Sequence, residues 1–201
     1  MEGTEMTIER DEAAVRAVRR GEKEAFAVLV NRHKESVYGM LMRLTCNRQA
    51  AEELAHETFV RAFRRLSSFR GESRFSTWLI QIAINLARDY AREQGRNRVV
   101  SLDAMLEQDP DSPVLAEAYS RSDPLNEMEE SELIEQFENA LEELPQSYRE
   151  VFVLRHLQNV SYEDIAEATG DSVGSLKVRA HRARKLLKER LFPETEYKPQ
   201  T

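Results

Sequence analysis

Apolar residues recur every three or four positions along several long stretches of this chain, and little interrupts them: 201 residues contain seven glycines and six prolines. That spacing puts the apolar side chains on one face of a helix, where a half-buried strand would need strict alternation. Phe26, Val30, Val37, Leu41 and Leu44 form one stripe, with His33 inside it. They predict a long helix ending near Cys46 and Asn47. Ala51, Ala55, Phe59, Ala62 and Leu66 form a second stripe, and Phe75, Leu79, Ile82 and Leu86 a third, after the loop Phe69, Arg70, Gly71, Glu72, Ser73. With a short amphipathic lead-in around residues 14–18, these helices make a small bundle.

The periodicity dissolves between Val99 and Glu130, where Asp, Glu and Ser accumulate and Pro110, Pro113 and Pro124 break any helix. It returns at Leu133, Phe137, Leu141 and Leu144. Pro145 then suits the first position of a new helix, where its missing amide is unpaired anyway. Val151, Leu154 and Leu157 carry that helix to a turn at Asn159. The expected architecture is all-α, with two small helical domains at 8–98 and 131–192, a flexible acidic linker at 99–130, and a tail at 193–201.

Charge distribution decides whether nucleic acid is a plausible partner, since the net charge of -7 argues against it. Basic residues outnumber acidic ones 18 to 14 up to Arg98, while the segment from Val99 to Glu130 holds nine acidic residues and one basic. The last segment hides a stretch from Val173 to Phe192 with seven basic residues opposed only by Glu189. The acidity is therefore concentrated away from a basic helix. The chain has no apolar run long enough for a membrane span and an acidic, polar start, so a cytoplasmic location without membrane insertion is expected. A lone Cys46 excludes an internal disulfide, and His33, His56, His156 and His181 lack metal-ligand spacing. Cys46 reads as a small half-buried residue and His33 as a hydrogen-bonded core histidine. No nucleophile, base and orienting acid converge and no Gly-rich phosphate loop is present, so no catalysis, cofactor or metal is expected.

Ser161 and Asp164 have the spacing of a helix cap, and a short helix follows to Thr169. Gly170 is the residue type that ends helices in a left-handed conformation, and Ser172 can cap a new one. Small Ala166 suits the close approach of two crossing helices. This is a helix-turn-helix. Its second helix separates Val173, Leu176, Ala180, Ala183 and Leu187 from a row of Lys177, His181, Arg184 and Lys188, with Val178, Arg182 and Lys185 beside that row. Such a helix can bury one stripe and offer the other to the DNA major groove, although basic faces are more often plain solvated surface.

The loop from Phe69 to Ser73 and the helix after it hold a second cluster. Trp78, Gln81, Asn85, Arg88 and Arg92 share one face. Aromatic, amide and guanidinium groups together suit unstacked single-stranded bases, whereas Phe75 at helical spacing favours the core.

Taken together, the strings GEKEAFAVLVNRH and AAEELAHETFVRAFRRLSSFRGESRFSTWLIQIAINLARDYAREQGR resemble sigma region 2, and ALEELPQSYREVFVLRHLQNVSYEDIAEATGDSVGSLKVRAHRAR resembles region 4, of the extracytoplasmic-function group of bacterial sigma factors. The resemblance covers nearly the whole chain. It implies a transcription initiation factor that binds core RNA polymerase and promoter DNA and that an anti-sigma factor holds inactive. Docking on the clamp helices of the largest subunit would use Glu53, Leu54, His56, Glu57 and Phe59; a further contact would be the flap of the second-largest subunit. Capture of a flipped minus-ten base would fall to the loop from Phe69 through Arg70 and Ser73 to Phe75, with Asn85 reading the base edge and Trp78 and Arg88 beside it. Reading of the minus-thirty-five duplex would fall to Lys177, Val178, His181 and Arg182, flanked by Ser175 and Arg184. The acidic linker would thread toward the polymerase active-site channel.

The sequence departs from the family pattern at several of these positions. His56 replaces the usual Gln, Glu53 a common Asp, Val178 a Ser, Ala180 a Leu, and Cys46 a turn Gly. Two other readings use the same helices: a stand-alone helix-turn-helix regulator that binds a palindrome as a dimer, and an adaptor that binds only protein.

Overall fold

A computed structural model describes residues 2–95 and 127–192, with the side chains of 9–95 and 132–192. All regular elements among these residues are helical. The chain divides into two compact units, the first built mainly on Met1–Asn97 and the second on the C-terminal helices. The expected linker at 99–130 lies outside the described residues apart from 127–130, and the tail at 193–201 lies outside them too, save that the last helix closes just before it.

In the first unit α1 spans Glu2–Arg19, α2 Phe26–Thr45, α3 Arg48–Arg65 and α4 Phe75–Glu93. The lead-in expected at 14–18 is a full helix of 18 residues that packs on α2 and α4. Its length was hidden because little apolar surface marks it: Ala14 and Val15 are buried, while the carboxylate of Asp11 anchors it by polar contacts. Helix α2 buries Phe26, Leu29, Val37, Met40, Leu41 and Leu44; Leu29 takes the core position expected of Val30, which is half-buried. Asn47 caps α3, its side chain accepting a hydrogen bond from the Ala50 amide at 3.0 Å. Helix α4 buries Ile80, Ile84, Ala87 and Ala91 as well as the predicted Phe75, Leu79, Ile82 and Leu86. A helix covered on two sides needs this wider stripe.

Cys46 closes α2 in the left-handed conformation, φ 50° and ψ 36°, with its amide donating to the Met42 carbonyl. A Cβ there crowds the backbone, and glycine relieves the strain. Cys46→Gly is expected to raise stability by roughly 0.5–1 kcal/mol, the relief less the extra chain entropy of glycine. Urea unfolding followed by circular dichroism measures it, and an unchanged or lower midpoint would show that the Cys46 side chain contributes more than the strain removes.

In the second unit α5 spans Glu127–Glu142, α6 Gln146–Phe152, α7 Tyr162–Thr169 and α8 Val173–Leu191, with α5 and α6 both packed on α8. Helix α5 starts at Glu127, four residues before the boundary expected at 131. Leu133, expected in its core stripe, is exposed, as is Ile134; Phe137, Ala140 and Leu141 make the buried face. Pro145 is the cap of α6 and not its first residue: φ fits a helix, but ψ of 136° is extended. The end of this helix widens into a π-helical turn over Val153–Leu157, closed by the Gln158 amide donating to the Val153 carbonyl at 3.0 Å. Asn159 then turns the chain at φ 53°. Buried Arg149 reaches back to the end of α5, its Nη1 donating to the Glu142 carbonyl at 2.8 Å. A cation there satisfies a helix C-terminal carbonyl.

Candidate nucleic-acid interface

The helix-turn-helix is built from local capping. The Ser161 hydroxyl accepts from the Asp164 amide at 3.0 Å and donates to the Asp164 carboxylate at 2.7 Å, which fixes the start of α7. Gly170 turns at φ 75°, where a side chain would be strained. Ser172 Oγ then accepts from the Ser175 amide at 3.2 Å to start α8. Ile165 is the buried anchor of α7, at zero exposure, while Ala166, expected at the crossing, is only half-buried. Leu176, Ala180, Ala183 and Leu187 form the buried stripe of α8, and Val173 is half-buried at its edge.

On the other side of α8, Lys177 is exposed and Ser175, Val178, His181, Arg182 and Arg184 are half-exposed. The Lys177 ammonium lies 5.9 Å from the Tyr162 ring centre and the Arg155 guanidinium lies 5.0 Å from it, so one ring steadies two cations. Arg182 Nη1 donates to the Tyr148 hydroxyl at 3.4 Å. Arg179 is bound to Asp171 at 3.0 Å and Arg190 pairs with Glu143, so that two of the seven basic residues between Val173 and Phe192 are neutralised by carboxylates. Arg184, Lys185 and Lys188 have no acidic partner among the described residues. The outward charge is therefore a band of cations over a dry stripe.

In the first unit the predicted single-strand cluster divides. Phe69 follows a 3-10 turn over Leu66–Ser68, and Gly71 at φ 78° bends the loop toward α4. Phe69 and Phe75 are buried, at 7% and 4% exposure, and meet edge to face at 5.9 Å. Trp78, half-buried, leans on Phe69 at 5.1 Å and on Phe75 at 5.8 Å. The two phenylalanines are thus a pier beneath the loop, since apolar rings in contact bury each other before they can serve as open stacking plates. Arg70 and Ser73 are exposed on the loop; Asn85 is exposed and Arg88 half-buried on α4. Asn85 lies seven residues beyond Trp78, two turns along the same face.

A cavity of about 790 Å³ opens on the other side of the loop. Its walls are Phe69, Gly71 to Ser76, His33, and Asp11, Glu12, Val15, Arg16 and Arg19 of α1. Of the predicted set it holds Phe69, Ser73 and Phe75, and not Arg70, Trp78, Asn85 or Arg88. Arg19 ties this wall to the loop, donating from Nε and Nη2 to the Leu66 carbonyl at 3.4 and 3.3 Å. The α1 residues escaped sequence reading; the one available signal was His33, a histidine in an apolar stripe that needs a polar partner.

On α3, Glu53 and His56 are exposed and Leu54 and Glu57 half-buried. Glu53 accepts from Gln49 at 3.0 Å. The 2.7 Å hydrogen bond from Arg61 holds the Glu57 carboxyl below the usual range, so that it stays anionic. Phe59, grouped with these residues for polymerase docking, is instead buried in the bundle, because its position continues the Ala51 to Ala62 stripe.

The Sigma-70 region 2 family matches residues 29–97, and the Sigma-70 region 4 family matches residues 134–187. The chain is 37% identical to the ECF RNA polymerase sigma-E factor of Haemophilus influenzae, over 91% of this chain and 96% of that protein. It is 34% identical to the RNA polymerase sigma-H factor of Pseudomonas aeruginosa, over 94% and 97%. This chain belongs to the extracytoplasmic-function sigma factors. Its fold is similar to that of the sigma factor RpoE crystallised with the anti-sigma factor NepR from Bartonella quintana, at a TM-score of 0.60 and 27% identity, covering 84% of this chain and 98% of that one. As a sigma factor the protein serves transcription initiation and is not an enzyme. The first unit is its region 2 and the second its region 4, and both matches together set aside the stand-alone regulator and the protein adaptor. Among the described residues no helix of this sigma factor is long and apolar enough to cross a membrane.

Proposed function

We propose that this sigma factor reads the minus-thirty-five element as duplex through α8 and the minus-ten element as melted single strand through the 69–75 loop and α4. The observation that carries the reading is the cationic band of α8, held outward on a helix whose opposite stripe is fully buried. A groove-reading helix needs both properties at once. Lys177, Val178, His181 and Arg182 face the bases, with Ser175 and Arg184 toward the backbone; Val178 offers a methyl surface where the family has a hydroxyl. In region 2, exposed Asn85 with half-buried Trp78 and Arg88 provides an amide, a ring and a guanidinium for an unstacked base, above the Phe69 and Phe75 pier, while Arg70 and Ser73 meet the strand from the loop.

Polymerase docks on the outward residues of α3, namely Glu53, Leu54, His56 and Glu57, against the clamp helices. Phe59 supports that helix from inside. Exposed Leu133 and Ile134 on α5 are the apolar pair that region 4 offers to the flap. By likeness to the RpoE and NepR pair, an anti-sigma factor covers these surfaces until an inducing signal releases them, and the protein acts in the cytoplasm. Run-off transcription from a library of genomic fragments, with core polymerase alone and with this protein, tests the reading. Start sites that depend on the protein and share a two-part motif are expected. Protein-independent initiation together with duplex binding by the free chain would overturn it.

A further inference from the structure

Asp11 is buried to 5% exposure at the inner end of the α1 contact, an expensive place for a carboxylate without partners. It has two, both from α2: Arg32 on one oxygen, and His33 Nε2 at 2.8 Å on the other. The His33 ring lies 5.6 Å from Phe75 at 48°. Phe75 in turn meets Phe69 and Trp78, so a continuous set of contacts runs from the α1 carboxylate to the rings beneath the loop. Val15 and Arg19, one and two turns along α1, lie on the same cavity as His33, Phe69 and Phe75. The Asp11 end of this set is not explained by packing alone, because an apolar pair would join α1 to α2 without a desolvated charge.

We propose that Asp11 is a positioning residue for single-strand capture, acting through His33 to set Phe75, and with it Phe69 and Trp78, in the geometry the unstacked base requires. A carboxylate holding Arg32 and His33 at once fixes the rotation of the imidazole, and the imidazole edge limits where the Phe75 ring can lie. The role rests on the base-reading function proposed for the loop and α4. It assigns a residue outside the DNA-facing set, on a helix that both family matches leave uncovered.

Two measurements on the full chain separate this role from general stability. The chain has a single tryptophan, so acrylamide quenching of the free protein reports the packing of Trp78 directly. Holoenzyme initiation on fork templates carrying each of the four bases at the captured position reports base discrimination. Asp11→Asn is expected to keep the helical circular dichroism and core binding, to raise the quenching of Trp78, and to lower base discrimination roughly tenfold. His33→Phe keeps a ring but not the hydrogen bond and is expected to act likewise, the double variant showing no further loss. Asp11→Ala is a stronger form of the same test, and if it fails to fold the Asn variant decides. Unchanged discrimination and quenching in folded Asp11 variants, beside an Asn85→Ala control that loses discrimination, would overturn the proposal. If Asn85→Ala leaves discrimination intact, the base-reading function falls instead. Trp78 quenching then still decides whether Asp11 positions the aromatic rings.

Discussion

Ile165→Ala is expected to destabilise region 4 by about 2–5 kcal/mol, the range for removing a large aliphatic side chain from a site that cannot collapse around the loss. Ile165 is fully buried and is the one buried residue of α7, a helix of eight residues. A unit of this size has only a few kcal/mol in total, so much of the population should lose the helix-turn-helix at 37 °C. Two unfolding transitions should then separate in a urea titration, the earlier one belonging to region 4. Initiation at promoters that depend on the upstream element should fall sharply, while binding to fork DNA bearing only the minus-ten strand is retained. A single unshifted transition would show that Ala166, the residue the sequence favours for the crossing, or another contact carries the packing. Glu167→Ala, an exposed change on the same helix, should alter stability by less than about 0.5 kcal/mol.

The second large effect is functional. Asn85→Ala is expected to reduce preference at the captured minus-ten base by about 1–3 kcal/mol, the worth of a paired amide contact to a base edge, which is roughly five- to 150-fold in discrimination. Asn85 is exposed, so the substitution leaves folding nearly unchanged and the loss reads out on DNA alone. Start-site selection from templates randomised across the downstream element measures it. Loss of total initiation with the same base preference would place Asn85 in strand binding and leave the reading of the base to other residues. The upstream preference proposed for Lys177 and Arg182 should be unaffected, since those residues belong to α8 in region 4.

Some of the site was legible because its physics is local. The Ser161 cap, the Gly170 turn and the Ser172 cap each involve residues within three positions of one another, and the structure forms all three. The outward face of α8 was equally plain, since a basic row opposite an apolar stripe needs no tertiary information. Phe59 was harder: it neighbours the acidic residues of α3 in sequence, yet rotation about the helix axis turns it inward. Leu133 shows the converse, an apolar residue at core spacing in α5 that is left exposed among the described residues.

By itself the sequence determined that the chain is helical, that its helices fall into two groups, where most of them start and stop, and which family it joins. Helical periodicity, caps and turn residues act over a few positions, and a family pattern is carried by residue identity. Only the tertiary structure decided that α1 is a full helix latched by Asp11, that Phe69 and Phe75 support the loop from beneath, and that Arg179 and Arg190 are spent on Asp171 and Glu143. The Asp11 and Glu143 contacts join residues far apart in sequence, and the others depend on how a turn sets one side chain against another across its helix. Burial and pairing are properties of the packed fold, and the spacing of residues along the chain does not contain them.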